Sequence, residues 1–302
     1  MENIYAMLNK NAQRSNERKQ PRLSKEEYAK QMKYKRNHLY KLAEVQSGEV
    51  VSSPQKYLQF LNLMARLDYT ITNTLLIMAQ KPDAKMLKDG KHWRDSGFYI
   101  KKGAKGIQIL EPTGEYQRED GSYGANFNAK YLFDVSQINT KKILYNAPQM
   151  NVANMINGLT YLSPVALQQL DTFDGGEPVF YSPDAKCIYY ANNLSPTQLI
   201  QGLAREYCHV EFDKQYSDYN RENNQFFIES SAYILCQKYG IPHHDIKFAD
   251  QVTQYFYGME LKDIKKELGN IKSLCEDVSE RIDRGIYKSQ QEKIQQRNDV
   301  SR

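Results

Sequence analysis

The residue types most able to do chemistry are concentrated in residues 199–212, L-I-Q-G-L-A-R-E-Y-C-H-V-E-F. Within this stretch, Arg205-Glu206-Tyr207-Cys208-His209 differs from H-E-x-x-H at one position. In that motif two histidines at i and i+4 share a helix face and bind zinc, and the Glu beside the first activates the metal-bound water. Glu206 and His209 are in place for those roles, but Arg205 stands where the first ligand belongs. Further along, F-I-E-S-S-A-Y supplies Glu229, a carboxylate on a second predicted helix and the usual kind of third ligand.

Arginine stays protonated and has no lone pair to give a metal. Two readings follow. In one, Arg205 takes roughly the place of the metal and pairs with Glu206 or Glu229, so a cation is kept and the chemistry is lost. In the other, an altered set binds the ion: His209 and Asp213 are also i and i+4, and Glu229 joins them. The expectation is that no cofactor is bound, with zinc the ion to test for. Catalysis by Glu206 is expected only under the second reading. His243-His244 follow a helix end and read as a solvent-facing pair. Cys208 and Cys236 lie in apolar helical patterns and read as buried thiols without a partner base.

A second cluster, in the first half, has a different chemistry. Lys91, Trp93, Arg94, Phe98, Tyr99, Lys101, Lys102 and Lys105 interleave cations with aromatic rings. Single-stranded nucleic acid is held this way, by cations that track phosphates and rings that stack on bases. Gly103 and Gly106 permit a tight turn or a close approach to phosphate. No helix-turn-helix or zinc-finger pattern accompanies the cluster, so sequence-specific readout is not expected.

These residues must be positioned by elements that the pattern of the chain makes legible. Ser24 and Glu27 form a capping box that opens a basic helix to about Leu42, followed by a linker, QSGEVVSS. Ser53-Pro54 opens a helix with Tyr57, Phe60, Leu61, Met64 and Leu67 on one face, and T-N-T-L-L-I-M-A-Q continues it after a break at 69–72. Beyond Pro82, K-H-W-R-D-S-G-F-Y-I and the Gly-punctuated residues after it read as short strands, E-Y-Q-R-E-D-G-S-Y-G-A-N-F-N as a loop, and A-K-Y-L-F-D-V-S-Q-I as another strand. In the second half, a helix is expected around 160–170, then a hairpin about Pro183-Asp184. Ser195-Pro196-Thr197-Gln198 is a strong helix start, and Gly240 with Pro242 ends the helix that carries Glu229. Leu261, Ile264, Leu268, Ile271, Cys275, Val278 and Ile282 form an a/d seam of about three heptads, fit either to pack on the chain's own body or to meet a second copy or partner helix.

The stretch from Tyr69 to Gln137 resembles the N-terminal single-stranded-DNA-binding domain of ArdC-type antirestriction proteins. The resemblance rests on four blocks in order: N-T-L-L-I-M-A-Q-K-P, Trp93 in K-H-W, I-K-K-G-A-K-G-I-Q-I-L-E-P and L-F-D-V-S-Q-I. The second half is similar to the zincin-type metallopeptidase domain that accompanies this module, related to ImmA/IrrE-like peptidases, through the hairpin, the R-E-x-x-H helix and E-S-S-A-Y. The resemblance implies a role in protecting or handling transferred single-stranded DNA on plasmids and conjugative elements. It implies histidine at the position of Arg205, so the departure there argues against peptidase activity.

Composition agrees with such a protein. The chain has 302 residues, 40% hydrophobic and 25% charged, enough to build a core over most of its length. Its net charge of +5 is unevenly spread: residues 1–150 carry 25 Lys+Arg against 15 Asp+Glu, residues 151–302 carry 16 against 21. The first half is thus built to meet a polyanion. No apolar run is long enough to span a membrane, no secretory signal is evident, and the four cysteines are scattered, so a cytoplasmic protein without membrane contact is expected. The expected fold is α+β. Residues 1–49 form a basic arm, 50–145 a DNA-binding domain of helices and a small sheet, 150–258 a zincin-like α+β domain, and 259–302 a helical tail. A structural subunit of a conjugation complex, joined through the 261–282 helix, is the alternative to DNA binding and to an altered peptidase.

Overall fold

The computed structural model describes residues 24–118, 120–171, 176–242 and 245–300, so most of the basic arm and the His243-His244 pair lie outside the described residues. By packing, the described residues form two compact units, 24–39 with 110–129, and 40–109 with 130–300. The fold is α+β, with two three-stranded sheets among many helices.

The predicted capping box forms at the start of helix α1 (Lys25–Val50): Ser24 Oγ accepts from Glu27 N–H at 3.1 Å, and Ser24 N–H donates to Glu27 Oε2 at 2.9 Å. The helix does not stop near Leu42. It continues through the expected linker because Ser47 is buried and donates its hydroxyl to the carbonyls of Glu44 and Leu261. Gly48 sits directly against the tip of the Leu261 side chain, and Val50 is fully buried. Tertiary contact here overrides the poor helix propensity of Ser-Gly.

Helix α2 (Pro54–Arg66) opens on the Ser53 cap and buries Tyr57, Phe60, Leu61, Leu63 and Met64. Helix α3 (Ile71–Gln80) follows the expected break, capped by Thr70. Strand β1 (Leu87–Asp89) leads into a short helix α4 (Gly90–Asp95), where the sequence pattern suggested a strand. The reason is local: Asp89 Oδ1 accepts from His92 N–H at 2.8 Å and so caps a helical turn. Strands β2 (Ile107–Gln117) and β3 (Tyr123–Asp134) extend through most of the segment expected as a loop, leaving residues 118 and 120–122 outside the strands among the described residues. Period-two alternation is weak there because both faces are largely exposed. The sheet order is β1-β3-β2.

Helix α5 (Val152–Thr160) precedes strand β4 (Ala166–Leu170), so the region around 160–170 is the end of a helix and then a strand. Strand β4 runs parallel to β6 (Cys187–Ala191), which pairs antiparallel with β5 (Val179–Ser182) in the expected hairpin. Strand β5 lies at the sheet edge. Helix α6 (Pro196–Gln215) carries R-E-x-x-H and begins with the predicted Ser195/Gln198 capping box. Helix α7 (Gln225–Tyr239) carries Glu229 and ends at Gly240 in the left-handed conformation, φ 66°. After a one-turn helix α8 (Val252–Tyr255), helix α9 (Leu261–Val300) runs to the end of the described chain.

Packing selects one of the two readings of the α9 seam and departs from the expected domain boundary. The a/d seam of α9 is consumed inside the chain: Leu268, Ile271 and Ile282 are fully buried, and the helix packs along α5, α6 and α7. Each buried Leu or Ile contributes about 1.5–3 kcal/mol to this intrachain packing, and Leu261, at the start of the seam, is exposed. In addition, α2 and α7 share one core rather than belonging to separately closed domains. Tyr57 stacks on Phe226 at 5.4 Å, and its hydroxyl donates to Ser230 Oγ at 2.8 Å. All four cysteines are free and buried, as expected for Cys208 and Cys236.

Candidate functional site

The R-E-x-x-H site forms where α6, β5 and the turn before α7 meet. Glu206 is fully buried, and its carboxylate is enclosed by donors. Oε1 accepts from Arg205 Nε at 2.9 Å, while Oε2 accepts from the Tyr181 backbone N–H at 2.7 Å and from Arg221 Nη2 at 2.5 Å. Arg221 Nη1 also donates to His209 Nε2 at 2.8 Å. Because a guanidinium can only donate, Nε2 must be the acceptor of a neutral imidazole, and Nδ1–H then faces the Tyr219 hydroxyl at 3.1 Å. Burial, reinforced by Arg221 and Arg205, holds His209 well below its ordinary value and so keeps it neutral. Burial pushes the Glu206 carboxyl up, while the two guanidiniums and the Tyr181 amide pull it back toward ionisation. Burial likewise pushes the Tyr219 hydroxyl up to about 12, so it remains a phenol.

Arg205 reaches past Glu206. Its guanidinium donates to the Val179 carbonyl at 3.1 Å and pairs with Glu177. Val179 and Tyr181 alternate with the residues of β5 whose amide and carbonyl groups face β6, so their own face the open side of the edge strand. Those groups would pair with an extended peptide laid along the sheet. Here Arg205 takes the Val179 carbonyl and Glu206 takes the Tyr181 amide, so the edge is occupied by the site's own side chains.

The residues expected as an altered ligand set are not brought together. Asp213 accepts from the Tyr181 hydroxyl at 2.6 Å and from Lys186 at 2.7 Å; against burial, which would raise it, these partners hold its carboxyl below the ordinary value. Glu229 lines a cavity of about 280 Å³ with Arg205, Gln198, Gln201 and Asp245, and burial pushes its carboxyl up to about 7 against the pull of Arg205. Among the described residues no group of three or more His, Cys, Asp or Glu side chains is gathered to hold a metal. The donor set does not fit one: both lone-pair groups of the motif already accept from guanidiniums. Sequence reasoning placed one arginine here and missed the second. Arg221 lies in a polar turn, N-R-E-N-N, with no periodic signal. The clue was stoichiometric, since a buried carboxylate beside a buried histidine needs more donors than Arg205 alone supplies.

The first-half cluster divides by burial. Lys91, Arg94, Tyr99, Lys101, Lys102 and Lys105 are exposed, with Tyr99 at 68%. Trp93 is corrected: it is 1% exposed, its indole N–H donates to the Phe133 carbonyl at 2.8 Å, and Phe98 packs edge-on against it. A ring held this way cannot stack on a base. The sequence blocks around it act as a frame for the exposed loop. The Gln80 side-chain amide bonds both the N–H and the carbonyl of Gln108, at 2.9 Å each. Fully buried Asp134 accepts from the amides of Lys85, Met86 and Ser136, and Gln137 donates to the Lys105 carbonyl at 2.7 Å. Lys101 is partly committed, donating to the Ser136 carbonyl at 2.7 Å. Gly106 has no room for a side chain against Tyr131 and Phe133, so it serves packing. No helix among the described residues is long and apolar enough to cross a membrane.

No family model matches the chain, and no curated protein matches it in sequence. In three dimensions it is similar to the crystal structure of the antirestriction ArdC protein from the R388 plasmid. The metal-free form superimposes with a TM-score of 0.50 at 17% identity, covering 73% of this chain and 86% of that one. The Mn(II)-bound form gives 0.50 at 15%, covering 72% and 85%. At such identity the likeness speaks to the backbone: this chain shares the ArdC-like α+β fold, and its R-E-x-x-H site is filled by two arginines.

Proposed function

We propose that this protein binds single-stranded DNA without sequence preference, in the DNA protection or transfer of a mobile genetic element, and that its peptidase-like site is an internal ion-pair clasp without catalytic activity. The DNA reading is supported by the exposed cations Lys91 and Arg94 on α4, and by Lys102 and Lys105 with Tyr99 on the loop that follows, whose Lys105 carbonyl is held by Gln137. A fixed loop loses little conformational freedom on binding, so its cations and ring are available at low entropic cost. The fold shared with an antirestriction protein agrees with it. The single observation that carries the loss of catalysis is the Arg221 guanidinium bonded to both Glu206 and His209. Neither side chain has a free lone pair for a metal or a free carboxylate for a water. Under this reading the protein needs no cofactor.

The experiment is fluorescence anisotropy with labelled oligothymidine and a matched duplex, titrated across salt. Tighter binding of the single strand, with log affinity falling linearly against log salt, supports the reading; every phosphate neutralised by the protein accounts for about 0.7 of the slope. Absence of binding at low salt removes it.

A further inference from the structure

Besides the cavity at Glu229, the larger unit holds a groove of about 830 Å³ between α2, the Pro82–Lys85 turn, the Tyr145–Pro148 stretch and the end of α7. Resting on the single-strand reading above, we propose that this groove seats a short run of single-stranded DNA, because it joins two unpaired cations, a row of side-chain amides and a tyrosine ring in one open cleft.

The α2 side of the groove is a helical stripe. Gln55, Gln59, Asn62 and Arg66 fall at i, i+4, i+7 and i+11, on one face of α2, while Tyr57, Phe60, Leu61 and Met64 are buried in the core. Gln55, Gln59 and, across the groove, Gln237 make no side-chain hydrogen bond among the described residues, so their donors and acceptors are open to a base edge. Amide side chains match bases because both present a donor beside an acceptor. Asn62 is already committed, donating to the Leu58 carbonyl at 2.8 Å and accepting from Tyr233 at 3.2 Å.

Charge selects the occupant. Arg66 and Lys85 have no ion-pair partner among the described residues, whereas the groove's one carboxylate, Asp83, is held by Lys81 at 2.7 Å. The groove therefore presents net positive charge. The cavity at Glu229 has the opposite character, with Glu229 and Asp245 beside an Arg205 already paired to Glu177 and Glu206, and would repel phosphate. Tyr145 contributes a half-buried ring for stacking. Gly240 at φ 66° brings its backbone so close to the Pro148 carbonyl that no Cβ would fit between them. The volume lies in the upper part of the roughly 300–1,000 Å³ range of ligand sites, so a few nucleotides are a reasonable load.

The test uses the full-length protein and oligothymidine substituted at one position with 5-iododeoxyuridine. Ultraviolet crosslinking followed by peptide mass spectrometry is expected to place an adduct on Tyr145. In anisotropy, Tyr145→Ala is expected to weaken single-strand binding roughly tenfold, the loss of one stacked base. Arg66→Gln with Lys85→Gln is expected to reduce the log–log salt slope by about 1.4, two phosphates at about 0.7 each. Circular dichroism and Tm of these surface variants check that the fold is kept. If the wild type binds the single strand while the variants match it and the crosslink falls elsewhere, the groove is excluded and the single-strand reading stands. If the wild type binds no single strand, or binds duplex equally well, the reading itself fails and the groove with it.

Discussion

Arg221 bridges Glu206 and His209 of the R-E-x-x-H helix, with one guanidinium nitrogen 2.8 Å from His209 Nε2 and the other on Glu206 Oε2 at 2.5 Å. Together with Arg205 it turns a motif for binding a cation into one that carries its own. The fully buried Glu206 is thereby neutralised without an ion from solution.

Removing Arg221 leaves a carboxylate buried with one guanidinium instead of two. Arg221→Met is expected to lower stability by about 2 kcal/mol, less than the 3–5 kcal/mol of a fully enclosed pair because its guanidinium is partly open to water. Urea denaturation of the variant against wild type measures this, and an unchanged midpoint would show the clasp to be incidental.

Metal should not bind the wild type. Excess Mn(II) or Zn(II) is expected to leave Tm unchanged, because an ion that binds only the folded state would raise it. Arg205→His alone is expected to behave the same way, since Arg221 still occupies His209 and Glu206. Only Arg205→His combined with Arg221→Ala opens three lone-pair groups. Metal content after dialysis, by mass spectrometry, distinguishes the single from the double variant.

Glu229 gives a pH dependence of definite sign. Its carboxyl is raised from 4.5 to about 7 in the folded protein, so the folded state binds more protons between those values and its stability falls as pH rises through them. Glu229→Gln removes the titration. The variant is expected to gain on wild type from pH 5 to pH 8, by on the order of 3 kcal/mol. Paired denaturation curves across this range test it; a constant difference would mean that Glu229 is ionised throughout.

Trp93 and Tyr99 should separate stability from binding. Trp93→Phe keeps most of the buried ring and loses the bond to the Phe133 carbonyl, so it is expected to cost about 1 kcal/mol or more in stability and nothing in single-strand affinity. Tyr99→Ala is expected to do the reverse. Thermal melts and anisotropy on both variants settle the assignment, and a loss of affinity in Trp93→Phe at unchanged Tm would reverse it.

The seam of α9 should behave as an intrachain core. Leu268→Ala is expected to cost about 2–5 kcal/mol, with a Tm independent of protein concentration. A melting temperature that rises with concentration would return the seam to an intermolecular role.

Much of the framework could be read from local pattern. The Ser195/Gln198 and Ser24/Glu27 capping boxes, the Gly240 stop and the hairpin at Pro183-Asp184 depend on residues within a few positions of one another, so short-range chemistry decides them. The continuation of α1 through Ser47-Gly48 was not legible, because its cause is a contact with Leu261 more than 200 residues away. The outer parts of β2 and β3, residues 115–117 and 123–128, were missed for a related reason: with both faces largely exposed there, no hydrophobic alternation marks them.

At the candidate site the division is sharper. Residue identity alone removes position 205 as a metal ligand, because arginine has no lone pair to give, and this holds in any fold. What fills the vacated coordination depends on a side chain from a turn twelve residues beyond His209, brought back over α6 by the packing of α7. The same holds for Trp93, whose type suits either stacking or a core, and whose burial against β3 makes it core. Composition and spacing specify what each group is able to do; desolvation and the partners that arrive from distant segments select which of those capacities remains.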